Sequence, residues 1–140
     1  MTTSIDSNII VALWWTTDPL NQVAANMLAE AKSKGNLVVS APVYAELMGD
    51  PSRNETQLNE FFRDTGILIN WTLDEKIWRE AGRAYKVYVQ RRQSAGGTFP
   101  RRILTDFLIG GHAVAFGHTL LTFDTQLYAI AFPSLAVVSN

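Results

Sequence analysis

The stretch Thr105-Asp106-Phe107-Leu108-Ile109-Gly110-Gly111-His112-Ala113 decides how this chain is read. It opens a segment, 103–123, whose only formal charge is Asp106. A helix that is apolar on all sides is a buried helix. A lone carboxylate there costs several kcal/mol unless a cation or a set of donors meets it. Three partners are open to Asp106. Arg102 stands at i−4 on the same face. The helix N-terminus offers free amides and a favourable dipole. A metal ion shared with other carboxylates is the third.

On either side of this segment, short runs of β-branched and aliphatic residues alternate with helical periods. Strands are expected at 1–5, 37–40, 67–70, 119–122 and 135–138. Between them lie helices begun by Asp6 or Ser7, by Asp18-Pro19, by Pro42, near Thr56, by Leu73-Asp74, after Phe99-Pro100 and by Asp124. Strands separated by helices predict a single α/β domain over 1–140, with a parallel central sheet of about five short strands and helices on both faces. At 140 residues the chain can bury roughly two thirds of its unfolded surface. No apolar run reaches the roughly 18 residues of a membrane span. The absence of cysteine rules out disulfides and thiolate metal sites and fits a cytoplasmic protein.

The acids that stand alone are informative. Asp6 is the only charge in 1–17, Glu46 the only one between Gly35 and Gly49, and Asp106 and Asp124 the only two from Ile103 onward. The other acids sit among basic and turn residues, as solvated carboxylates do. Asp6 and Asp124 follow expected strands, Glu46 follows one by a helical turn or so, and Asp106 opens the apolar helix. In an open parallel sheet the carboxyl ends of the strands form the ligand crevice. Four carboxylates converging there repel one another strongly. Divalent cations offset that repulsion, and oxygen ligands without Cys or paired His favour Mg²⁺ or Mn²⁺. Two such ions are a recurrent device for cleaving phosphodiesters, one activating a water and the other stabilising the leaving oxygen.

These acids lie in segments that carry a family likeness. Asp6-Ser7-Asn8-Ile9-Ile10, Ala41-Pro42-Val43-Tyr44-Ala45-Glu46-Leu47, Asp106-Phe107-Leu108-Ile109-Gly110-Gly111-His112-Ala113 and Leu120-Leu121-Thr122-Phe123-Asp124 resemble, in order, the four motifs of a PIN domain. Within that family the likeness is to the VapC-type toxins of prokaryotic toxin–antitoxin pairs, and it runs over essentially the whole chain. It implies a Mg²⁺- or Mn²⁺-dependent endoribonuclease, held silent by a cognate antitoxin, that hydrolyses RNA by a metal-activated water. It implies Asp6, Glu46, Asp106 and Asp124 as catalytic metal ligands, with Asn8 and Thr122 bracing them. It further implies a homodimer that meets DNA only through the antitoxin. Phe123 departs from the polar or basic residue common at that position, which leaves Asp124 in place and alters local RNA contacts.

Charge is unevenly spread. From Lys76 to Arg102 there are eight basic residues and one acid, +8 − 1 = +7, and the remainder carries 4 − 12 = −8. Lys76, Arg79, Arg83 and Lys86 read as a solvated helix stripe. Arg91, Arg92, Arg101 and Arg102 bracket Gly96-Gly97 just before Asp106, where they are candidates for RNA phosphate contacts. His112 and His118 read as core or helix-end residues. Trp14, Trp15, Trp71 and Trp78 read as core or interface anchors, and Trp14 and Trp15 cannot both face inward on one helix. Two alternatives to the toxin stand beside it: a catalytically silent PIN-fold module that binds nucleic acid or an antitoxin, and a free-standing PIN nuclease.

Overall fold

The computed structural model describes residues 1–96 and 104–138. Gly97, Phe99, Pro100, Arg101 and Arg102 lie outside the described residues, and with them the Arg102–Asp106 pairing. The elements in chain order are β1 (Thr2–Ile5), α1 (Ser7–Trp14), α2 (Asn21–Lys34), β2 (Asn36–Ser40), α3 (Ala41–Met48), α4 (Glu55–Thr65), β3 (Leu68–Asn70), α5 (Glu75–Ser94), α6 (Leu104–Phe116), β4 (Thr119–Leu121), α7 (Thr125–Ala131) and β5 (Val137–Val138).

The strands form one parallel sheet in the order β3-β2-β1-β4-β5, with Ser4 opposite Val38 and Ile5 opposite Leu121. Strand order therefore reverses at β1. Each connection between successive strands is helical, and such crossovers cover both faces of a parallel sheet. In β2 the successive residues Leu37, Val38, Val39 and Ser40 are all buried, as a doubly covered strand requires. The reversal leaves a crevice at the carboxyl ends of β1 and β4.

The apolar helix α6 sits as its composition dictates: Phe107 to Ala113 are buried without a break. Two adjacent glycines in a helix cost roughly 1 kcal/mol each relative to alanine, and packing explains them here. A β-carbon on Gly111 would come within 3.2 Å of the Ile77 carbonyl oxygen and the Ala81 nitrogen of α5. One on Gly110 would run into the Phe132 ring. The pair lets α6 lie close against α5 on one side and the Phe132 ring on the other.

Some boundaries differ from expectation. Asp18-Pro19 does not open α2: the two residues lie in a turn, Asp18 Oδ1 accepts from the Leu20 amide at 2.7 Å, and the helix begins at Asn21. Asp124 holds the N-cap position of α7 but makes no capping bond with its side chain. Trp14 turns inward and meets Phe61 edge-on at 5.2 Å, with the Arg53 guanidinium 4.2 Å from its ring centre. Trp15 is on the surface, and so are Trp71 and Trp78, rather than in the core.

Candidate active site

Asp6 is the first residue beyond β1. Its amide donates to the Leu121 carbonyl at 2.9 Å, which extends the β1–β4 ladder and brings the carboxylate to the end of β4. The side chain is buried. Asp6 Oδ1 accepts from the Ser7 amide at 2.8 Å, and Oδ2 accepts from Thr122 Oγ1, also at 2.8 Å.

The Thr122 oxygen in turn accepts from the Asp124 amide at 3.0 Å and from Asn8 Nδ2 at 3.4 Å. Asn8 Oδ1 accepts from the Phe123 amide at 3.3 Å. One hydroxyl thus ties the start of α1 to the turn after β4, so Asn8 and Thr122 lie where they brace Asp6 and the backbone of Asp124.

Glu46 arrives from the other side. The chain enters α3 directly from β2, beside β1, and Glu46 lies half-buried with Ser7 Oγ donating to its Oε1 at 2.9 Å. Ser7 Oγ is also 3.5 Å from Asp6 Oδ1, so this side chain spans two acids. Asp106 stands half-buried in the first turn of α6, which packs on α3. A groove of about 500 Å³ opens beside Glu46, lined by Ala41, Pro42, Ala45, Leu73, Thr105 and Leu108.

The electrostatics link these segments. Burial raises the Asp6 carboxyl above its ordinary range against the donors Thr122, Ser7 and Tyr128, and the charge of Asp124 raises it further. Burial also raises Glu46, opposed by Ser7 and reinforced by the charges of Asp6 and Asp106. Among the described residues no lysine or arginine contributes to either shift. Charges from four segments therefore meet here: Asp124 acts on Asp6, and Asp6 and Asp106 act on Glu46.

Among the described residues no three acids or histidines form a ready-made cage for a metal ion. The Asp6 and Glu46 carboxylates are turned to hydroxyl and amide donors. Their chemistry fits a hard divalent cation: oxygen donors only, Asp6 buried and Glu46 half-buried, with no lysine or arginine acting on either among the described residues.

Of the basic candidates, Arg91 and Arg92 fall among the described residues. Arg91 is exposed near the end of α5 and Arg92 is half-buried beside it. Arg79 and Arg83 pair with Glu75 and Glu80 on the surface, each at 3.0 Å. The sequence did not single out Ser7 as a partner of Glu46, because a serine after an acid at a helix start reads as a cap. Nor did it single out Tyr128, whose apolar surroundings on α7 read as core.

The family model for the PIN domain matches residues 4–133. This chain belongs to the PIN domain family. PIN domains are generally nucleases and typically use divalent metal ions. The PIN fold here is similar to VapBC-1 from nontypeable Haemophilus influenzae, with TM-score 0.66, 20% identity and coverage of 99% of this chain and 98% of that one. It is similar also to VapBC2 from Rickettsia felis bound to a promoter DNA fragment, with TM-score 0.60, 22% identity and the same coverages. A third likeness is to DNA-bound VapBC from Salmonella typhimurium, at TM-score 0.65 and 15% identity, over 99% and 98%. At these identities the shared property is the fold. No curated protein matches the sequence. Among the described residues no helix is long and apolar enough to cross a membrane.

Proposed function

We propose that this PIN domain is a VapC-type toxin, an endoribonuclease dependent on Mg²⁺ or Mn²⁺ and restrained by a cognate antitoxin. The observation that carries the reading is the mutual influence of Asp6, Glu46, Asp106 and Asp124 in a crevice where Asp6 and Glu46 feel no neighbouring lysine or arginine among the described residues. These acids would hold the metal. When bound, it supplies the positive charge that offsets them and the activated water needed for in-line phosphodiester hydrolysis.

The chain's own groups prepare that chemistry. Thr122 and Ser7 hold the Asp6 carboxylate by both oxygens, and Ser7 holds Glu46. Asn8 fixes the Thr122 hydroxyl and the turn that carries Asp124. In this reading the groove beside Glu46 receives the strand, and Glu46 is the one charged side chain among its described lining residues. Arg91, Arg92, Arg101 and Arg102 would position the RNA phosphates. In this reading the chain works as a cytoplasmic homodimer and reaches DNA only through the antitoxin, whose removal exposes the crevice.

The test is cleavage of RNA by purified, antitoxin-free protein with Mn²⁺, with EDTA, and as Asp6→Ala and Asp106→Asn. Cutting is expected with Mn²⁺ alone and falls about a thousandfold in either variant, equivalent to several kcal/mol of lost transition-state stabilisation. Metal-dependent cutting that survives a substitution removes that residue from the site. No cutting of any RNA by a folded protein favours a silent binding module.

A further inference from the structure

Tyr128 lies one turn into α7, four residues after Asp124, and its side chain is 1% exposed. The ring stacks on Phe132 with centroids 6.5 Å apart. Its hydroxyl oxygen is sealed from solvent and makes no well-formed hydrogen bond among the described residues. Burying a hydroxyl without a partner is unfavourable, and phenylalanine would fill the same space without that cost. Packing therefore accounts for the ring and leaves the oxygen unexplained.

The surroundings of the oxygen supply a reason. It stands in the field of Asp6, Asp106 and Glu46, and it lies close enough to Asp6 to act as a donor to that carboxyl while falling short of finished bond geometry. Ser7 and Thr122 already occupy one acceptor position on each Asp6 oxygen. A carboxylate has about four such positions in all, so the phenol faces a group that can still accept from it.

We infer that the Tyr128 hydroxyl is a positioning group for Asp6, kept beside the carboxylate to fix its orientation while it holds a divalent cation. The inference rests on the metal-dependent reading above. Donors behind a metal ligand set its orientation, and their loss typically weakens metal binding about 10- to 100-fold.

Two readouts separate this role from packing: Mn²⁺ affinity by titration calorimetry, and the melting temperature in EDTA. Tyr128→Phe is expected to melt at the same temperature as the parent or higher, and to bind Mn²⁺ about tenfold more weakly. Phe132→Leu disturbs the same ring stack but keeps the hydroxyl, so it should melt lower and bind Mn²⁺ as the parent does. Equal affinity in Tyr128→Phe and the parent would overturn the inference and leave the metal reading standing. Equal weakening in both variants would assign the effect to packing, and a Tyr128→Phe protein that fails to fold would make the hydroxyl structural. A parent chain that binds no Mn²⁺ would overturn the metal reading, and the inference with it.

Discussion

Two polar clusters lie toward opposite ends of α6 and are treated oppositely. At its start, Asp106 belongs with Asp6, Glu46 and Asp124, where hydroxyls and amides are spent on carboxylates. Toward its end, His112 is fully buried, and neither ring nitrogen has a hydrogen-bond partner among the described residues. The His112 ring lies 4.7 Å from Phe116 and 6.0 Å from His118. Asp6 and Glu46 keep donors, and among the described residues no lysine or arginine acts on them; the imidazole has no hydrogen-bond partner there and is simply neutral. Burial alone does not mark a functional group. Burial with oriented donors, as at Asp6, is the combination that the proposed cation site requires.

The comparison has a signed consequence for pH. Burial lowers His112 from 6.5 to about 4, with help from the charge of His118 and against the pull of Asp74. The unfolded chain then binds the proton first, so this stability is fully present above pH 6.5 and is lost as pH falls toward 4. The loss is about 3 kcal/mol, the largest effect expected here. Asp6 and Glu46 act the other way: their raised values make the folded chain take up protons first, so their contribution grows as pH falls. Urea unfolding in EDTA at pH 7.5 and 4.5 should therefore show His112→Leu, close to histidine in volume, losing less stability on acidification than the parent. An unchanged pH dependence would mean that His112 is not the neutral core group described.

At the acid end the weak point is one hydroxyl. Thr122→Val keeps the shape but removes the donor to Asp6 Oδ2 and the acceptor for the Asp124 amide. The expected loss is about 2 kcal/mol, typical of a buried bond to a charged group. It should fall in EDTA melts at neutral pH and shrink when acid protonates Asp6. Both variants thus gain on the parent as pH falls, while in the parent itself the His112 contribution is lost and the Asp6 contribution grows.

Much of this was legible in the sequence, for a definite reason. Strands such as 37–40 and the helix around Phe107 are buried on every side, and a run of apolar residues cannot be read otherwise. The candidate acids stood out because their isolation is a property of the sequence itself. What escaped depends on contacts across the fold. Ser7 meets Glu46 only because α3 begins where β2 ends, and the two residues are 39 positions apart. Tyr128 faces the acids only because α7 folds back after β4. The start of α2 was misplaced because Asp18 satisfies the Leu20 amide in a local turn, an outcome that competes with helix capping for the same residue types.

The α5 surface gives the smallest effect and a finer comparison. Arg79 and Arg83 are held by glutamates three or four residues away with most of their side chains in water, so Arg79→Ala should change stability by no more than about 0.5 kcal/mol. Arg91 is exposed at the far end of the helix, with no ion pair to a glutamate or aspartate recorded among the described residues. Salt dependence of RNA binding counts the phosphates a side chain neutralises, and a cation already paired with a carboxylate contributes less to that count. Arg91→Ala should therefore lower the slope of log affinity against log salt by about 0.7 to 1, and Arg79→Ala by less. Equal reductions would mean that RNA breaks the Glu75 pair and runs along the whole helix. No reduction from Arg91→Ala would move the phosphate track off α5 altogether.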